Sequence, residues 1–416
     1  MPAKSAHNFF HDIFHALRFR NYRLFFWGQV VSLTGSWIQQ TAMSWLVYRM
    51  THSALILGVI GFSNMIPSFV FAPVAGVLAD RYDRRALLMG TQVLSMMQAL
   101  VLAGLVLADV IAVWHVIGLS LFMGMVNALD TPVRQSFMID MVESKAVLGN
   151  AIALNSMVFN GARLIGPPIA GLLIALTGEG VCFLINGITF LAVMISLTRM
   201  SMGAKPFDGA HQPVWVAMRE GFAYVKQFVL MRRILIYMSL VSFFGMPYFV
   251  LMPVFAKDIL QGGPHTLGLL MGATGLGAMT GALYLASRKS LQGLDRVIVT
   301  TGVMCGVAIM LFALSRELWW SCVTMFAAGI GLMVQMASSN TLLQNLVDDK
   351  MRGRVMSFFT MAFFGTAPLG SLLAGYVSDR VGGPATLFVA GLCFVGLAVF
   401  AGNMLNTKCQ PPPKDG

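Results

Sequence analysis

A chain of 416 residues that is 57% hydrophobic and only 11% charged is not an ordinary soluble protein, where about a quarter of the residues carry charge. Its formal net charge of +11 is not read as a nucleic-acid footprint, because Lys and Arg kept in the loops of a membrane protein give the same excess. Cys182, Cys305, Cys322, Cys393 and Cys409 lack the spacing of a metal site or a disulfide framework, and no metal or cofactor is expected.

Residues 1–20 are too polar, and too broken by His and Arg, for a signal peptide. They read as a cytoplasmic leader with a short amphipathic helix near Asn8–Phe19. His7, His11 and His15 share one face of it. They are taken as the polar side of an interfacial helix, with Phe9, Phe10 and Phe14 dipping into lipid headgroups, rather than as metal ligands.

Apolar stretches of about 20 residues follow, long enough to cross a bilayer as helices. They are continuous rather than alternating, which selects helices over a barrel. Twelve spans are expected: Leu24–Tyr48, Ala54–Ala79, Ala86–Ala108, Ile111–Leu129, Leu148–Leu176, Val181–Thr198, Ile234–Phe255, Leu267–Ser287, Val297–Leu314, Leu318–Thr341, Val355–Val377 and Pro384–Met404. The predicted fold is an all-α membrane protein with twelve transmembrane helices in two six-helix bundles. The leader is 1–20, the first bundle 21–200, a linker 201–233, the second bundle 234–405 and a tail 406–416. The linker holds an amphipathic segment, Val214–Val229, read as an interfacial helix.

Charge orients this arrangement. Of 28 Lys and Arg, all but Arg49, Lys257, Arg316, Arg380 and the intramembrane Arg163 fall on the side that carries both termini. That side is expected to be cytoplasmic. The halves also repeat. The offset that carries Gly149 onto Gly353 carries Gly161, Gly166 and Gly171 onto Gly365, Gly370 and Gly375, and Arg84–Arg85 onto Arg288–Lys289. A duplicated six-helix unit, its halves related by an axis along the membrane normal, is the plan of an alternating-access transporter.

Two stretches carry a resemblance. Gly76–Arg85, GVLADRYDRR, resembles the loop motif between the second and third helices of the major facilitator superfamily, with Asp83 where the usual form has Gly. Asn127–Gly171 is similar to a bacterial branch that includes an enterobactin (siderophore) exporter and transmembrane secretion effector proteins. The resemblance implies a secondary transporter in the bacterial inner membrane, with protons as coupling ion, a small organic molecule as substrate and the lipid bilayer as surroundings. No nucleic-acid partner is expected, and a monomer is. It also implies a conformational latch of Gly76, Asp80, Arg84, Arg85 and Asp130. There Asp130 partners the loop arginine at the end of the fourth span, and Asp80 meets the start of the eleventh near Gly353–Val355.

Arg163 lies near the middle of the fifth span, where a charge costs at least roughly 2.5–3.5 kcal/mol. It is either a cation for an anionic substrate or an internal strut. Asn155, Phe159 and Arg163 share a helix face. Spans 1, 4, 7 and 10 line the cavity in this superfamily, which selects Gln40 and Gln335 as substrate-binding candidates beside Asn155 and Arg163 of the fifth span. Gly161, Gly166, Pro167, Pro168 and Gly171 resemble the fifth-helix motif of exporters, and a bend or close helix packing is expected there.

All 17 acids fall in loops or near span ends, so no carrier residue for a proton is apparent in mid-membrane. Gly-rich phosphate loops, Gly-x-Ser-x-Gly elbows and His-Glu-x-x-His helices are missing, leaving enzymatic chemistry and ATP-driven pumping unsupported. The expected function is export of a siderophore or an amphipathic drug-like compound by proton antiport. The alternatives are an importer or lipid flippase on the same fold, and a receptor or assembly factor that moves nothing.

Overall fold

The computed structural model describes residues 15–141, 145–201, 214–288, 292–348 and 351–405. After a 3-10 turn, His15–Arg18, the first bundle comprises α1 (Arg20–Thr51), α2 (Ala54–Arg81), α3 (Arg84–Leu107), α4 (Val113–Met141), α5 (Lys145–Thr177) and α6 (Glu179–Arg199). The linker helix is α7 (Val214–Gln227). The second bundle comprises α8 (Val229–Gly245), α9 (Pro247–Val254), a π turn (Phe255–Ile259), α10 (Pro264–Ser287), α11 (Leu294–Leu314), α12 (Leu318–Leu346), α13 (Arg352–Val381) and α14 (Gly383–Leu405). Eleven segments among the described residues are long and apolar enough to cross a membrane, with α8, α9 and the π turn counting as one. The twelfth is α1, whose Gln29, Gln39, Gln40 and charged ends dilute its apolar character.

Several limits differ from expectation. The fourth helix runs to Met141 rather than to Leu129 and contains Pro132. Leader residues 1–14, with His7 and His11, lie outside the described residues. The seventh span starts at Val229 and is segmented, because Pro247 cannot donate the backbone bond that would join α9 to α8.

The two bundles repeat one packing plan. α2 lies on α4, α1 on α5 and α3 on α6, and in the second half α10 lies on α12, α8 on α13 and α11 on α14. Small residues permit these approaches. A methyl at Gly329 would lie 2.2 Å from the Thr274 carbonyl oxygen, and one at Gly277 would meet the Phe326 carbonyl at 2.0 Å. In lipid, where apolar side chains gain nothing by leaving the solvent, close van der Waals packing replaces the hydrophobic drive. Trp114 and Trp319, 69% and 66% exposed, open α4 and α12 at the same end, where aromatic residues sit at a bilayer interface.

The halves meet through α2 on α13 and α5 on α10. These contacts are confined to one part of the helix length. Methyl groups at Gly58 and Gly375 would strike Ser371 and Ala54 backbone at 2.7 and 2.4 Å. One at Gly275 would strike the Arg163 carbonyl at 2.8 Å, and one at Gly268 that of Pro167 at 2.6 Å. Toward the end that carries Arg84 and Arg85, by contrast, Gly149, Gly161 and Gly353 have open space around them. The halves are therefore pressed together at the end carrying Asp379, and among the described glycines no such backbone contact joins them at the basic end.

Two glycines separate packing inside a bundle from packing between bundles. Gly329→Val is expected to lower the thermal unfolding temperature of the detergent-purified protein, since overpacking costs about 1–3 kcal/mol. Gly275→Val is expected to leave that temperature nearly unchanged and to part the halves. Faster maleimide labelling of a cysteine at Thr41, which lies against Met271 of α10, reads that opening.

Candidate functional site

Arg163 occupies the middle of α5, at the depth where contact between the halves stops. Its backbone carbonyl abuts Gly275 of α10, so the helix cannot move there without parting the bundles. Its guanidinium lies 5.8 Å from the centroid of Trp37, within range of a cation–π attraction. The Tyr248 hydroxyl lies beside it. Trp37 in turn meets Phe159 edge-on at 5.9 Å and Phe249 at 6.2 Å. The arrangement is a cation framed by aromatic rings from α1, α5 and α9. The buried Nε of Arg163 has no hydrogen-bond partner. Of the acceptors expected for an internal strut, Asn160 is turned away and donates to the Ser156 carbonyl at 2.9 Å.

The other candidates divide. Asn155 is half-buried on the same helix, two turns nearer the basic end than Arg163. Gln40 is exposed one turn beyond Trp37. Gln335 is fully buried, with its amide donating to Tyr237 and lying 3.2 Å from where a methyl on Gly302 would sit. It is held inside the second bundle between α8, α11 and α12, so the expectation that it meets a solute is corrected. The glycines of α5 serve different neighbours. Gly166 receives Trp37, Gly171 receives Pro264 and His265, and Gly161 faces open space. Pro167 and Pro168 sit inside a helix that runs unbroken from Lys145 to Thr177, with Pro167 presenting its carbonyl to Gly268.

The expected latch is rearranged. Arg84 pairs with Asp140 at 2.7 Å, and not with Asp130. Asp130 is buried one turn before Arg134, its i+4 ion-pair partner at 3.3 Å. It also accepts from the Thr91 hydroxyl at 2.8 Å and the Gln92 amide at 3.0 Å. Arg134 extends the network to Gln29 of α1 at 3.3 Å. The cause is the length of α4: three further turns carry Asp140, rather than Asp130, to the level of the loop. Arg85 donates to the Thr198 carbonyl at 3.1 Å, where a cation suits the end of a helix. Asp83 caps α3 by accepting from the Ala86 N–H at 2.7 Å, which accounts for an Asp at the motif's Gly position. Gly76 and Asp80 are on α2, and their surroundings lie outside the described residues. At the start of α13, Arg354 pairs with Glu220 of the linker helix, and the Val355 N–H is already bound to the Met351 carbonyl at 3.0 Å.

Sequence reasoning passed over the end where the halves meet. There Tyr48 of α1 donates to Asp258 of the π turn. Asp379 of α13 accepts from the Ser53 hydroxyl and from the Ala54 and Leu55 N–H groups, the last two at 2.6 and 3.1 Å. Ser53 directly before an apolar run was the one available signal, an N-cap position that a distant carboxylate completes.

The model of the transmembrane secretion effector family of the major facilitator superfamily matches residues 12–414. The staphyloferrin A transporter of Staphylococcus aureus is 27% identical over 396 residues, covering 93% of this chain and 98% of that protein. Macrolide efflux protein A of Streptococcus pyogenes is 23% identical over 393 residues, covering 92% and 96%. The crystal structure of a POT family transporter in complex with 5-aminolevulinic acid superposes with a TM-score of 0.74 at 11% identity, covering 92% of this chain and 95% of that one. A twelve-helix fold of two repeated bundles and a family match over nearly the whole length agree: the chain belongs to the transmembrane secretion effector family of the major facilitator superfamily and is a multi-pass membrane transporter, not an enzyme.

Proposed function

We propose that this transporter exports a small organic anion of the siderophore type, or an amphipathic drug-like compound with an acidic group, by alternating access coupled to proton antiport. The observation that carries the reading is Arg163. It is a mid-span cation with an unpartnered buried Nε, framed by Trp37, Phe159, Tyr248 and Phe249 where the parted region begins. A cation without an anionic partner at that depth is costly. An anionic group supplied by the solute would satisfy it, while the rings take the apolar body.

The distribution of Lys and Arg supports placing the basic end in the cytoplasm of a bacterium, at its inner membrane. In that orientation the described state opens inward and is closed outward, ready to receive a solute from inside. Relatives named for staphyloferrin A and for macrolide efflux support the two substrate classes. The leader, the linker with α7 and the tail then lie on the cytoplasmic side. Glu220–Arg354 and Tyr224–Asp348, the latter at 2.8 Å, dock α7 on the second bundle.

Proteoliposomes holding the purified chain, with the basic end facing outward, are expected to take up a carboxylate or catecholate siderophore when the lumen is made acidic. A chain that moves neither siderophore nor macrolide under an imposed pH gradient sinks the antiport reading. Arg163→Ala is expected to reduce anion transport roughly tenfold or more, the worth of a charge-assisted hydrogen bond. Arg163→Lys is expected to recover part of it. Equal rates for wild type and Arg163→Ala on an anionic solute would return Arg163 to a packing role.

A further inference from the structure

We infer that the solute binds at Arg163 through a single ionised carboxylate, and that the rest of it is uncharged and carries an aromatic ring beside the acid. The inference rests on the export reading and names the charge and shape of the solute that the same site takes.

Charge limits the solute to one anionic group. Arg163 brings one positive charge to mid-span, and all 17 acids lie in loops or near span ends. Arg134, two turns inside the end of α4, lies 3.3 Å from Asp130. Nearer the basic loops Arg84 is 2.7 Å from Asp140, and at the opposite end Arg49 is 2.8 Å from Glu179. One negative charge therefore neutralises the site. A second would be left without a cation once the halves close over the solute, and a lone charge away from water is costly. A phosphate monoester, which carries about −1.5 to −2 at neutral pH, exceeds that limit.

Geometry selects the carboxylate. Nε and one terminal nitrogen form an edge of the guanidinium that two carboxylate oxygens match, and Nε is the atom left without a partner. Asn160 is turned away to the Ser156 carbonyl. The Arg163 carbonyl abuts Gly275, so the guanidinium is offered from an anchored backbone. Arg163 as a whole is half-buried, which leaves part of the side chain open to an approaching acid while Nε stays covered. Tyr248, 1% exposed, holds its hydroxyl beside the same group, and an O–H there can donate to a carboxylate oxygen. The ring follows from the aromatic frame. Trp37 lies 5.8 Å from the guanidinium and meets Phe159 at 5.9 Å and Phe249 at 6.2 Å. Phe159, 46% exposed, continues this apolar face one turn toward the basic end. Asn155, an uncharged amide, comes one turn later, about 12 Å from Arg163 along the helix axis. The rings of the solute therefore belong next to its acid, and its neutral polar groups farther out.

The test uses three ligands that share one ring system and differ in charge: naphthylacetamide, which is neutral, naphthylacetate, which is a monoanion, and naphthyl phosphate, which is close to a dianion. Binding to the full chain in lipid nanodiscs is read by calorimetry at neutral pH, with empty nanodiscs subtracted. The acid is expected to bind roughly tenfold or more tighter than either the amide or the phosphate, the worth of a charge-assisted bond. Arg163→Gln should bring the acid level with the amide. Arg163→Lys, which keeps the charge and loses the two-nitrogen edge, should retain part of the preference. Trp37→Leu, which removes a ring and keeps the cation, should weaken acid and amide by similar factors. A phosphate that binds as tightly as the acid overturns the limit to one charge. An acid no tighter than the amide overturns the carboxylate, and undiminished binding in Trp37→Leu overturns the ring. Absence of binding by all three overturns the inference as a whole. Flux is measured separately in proteoliposomes. Acid-selective binding without pH-driven flux keeps this site and removes the export reading, whereas flux of a polyanionic siderophore without acid-selective binding keeps the export reading and removes this inference.

Discussion

The close approach of α2 to α13 and of α5 to α10 is the constraint on which the rest of the molecule depends. Two bundles in lipid have little reason to adhere through apolar side chains, because the acyl chains offer the same contacts. Backbone meeting backbone at Gly58, Gly268, Gly275 and Gly375 gives packing that lipid cannot imitate. Because these glycines lie toward one end, adhesion is one-sided. Inside each bundle the helices are held by contacts such as Gly277 on Phe326, so the rocking that the proposed alternating access requires falls to the interface between the bundles.

Polar groups inside the bundles reinforce that rigidity. Gln39, Gln98 and Asn186 join α1, α3 and α6 at 2.8–3.0 Å. Asp130 ties α4 to α3, and Arg134 continues the link to α1. A carboxylate in such surroundings is tolerated because the Thr91 hydroxyl and the Gln92 amide donate to it and the Arg134 guanidinium lies beside it. Asp130 is thus held within the first bundle by three of its helices.

How much of this could be read from the chain depended on the range of the interaction. Spans, the repeated halves and the basic side follow from local composition, which a bilayer enforces residue by residue. The fifth-span Arg163 stood out for the same reason, since a charge in hydrocarbon is conspicuous in one dimension. Pairings across helices were not legible. Asp130 and Asp140 lie on the same helix, and only the true length of α4 decides which of them Arg84 meets. Gln335 and Gln40 look alike as amides within apolar runs, yet one is fully buried and the other exposed. Asp258 and Asp379 read as ordinary loop acids, because their donors, Tyr48 and Ser53–Leu55, are more than 200 residues away, as the separations of 210 and 324 to 326 show.

The cation at the mid-span limit of the interface and the carboxylates at its other limit are joined through α5 and α10. Arg163 shares α5 with Pro167 and Gly171, which bear on α10 at Gly268 and on its first turn. α10 follows the π turn that carries Asp258, with only a short connection between them. Under the proposed cycle, an anion that draws Arg163 out of its aromatic frame loads the α5–α10 contact. The Tyr48–Asp258 bond clamps the end of the same assembly. A displacement at Arg163 reaches it without a chain of side-chain movements across the bilayer, since the two helices act as stiff rods. What is required is that the two states differ by only a few kcal/mol. A clamp made of a few exposed hydrogen bonds, rather than buried ion pairs, keeps that difference small.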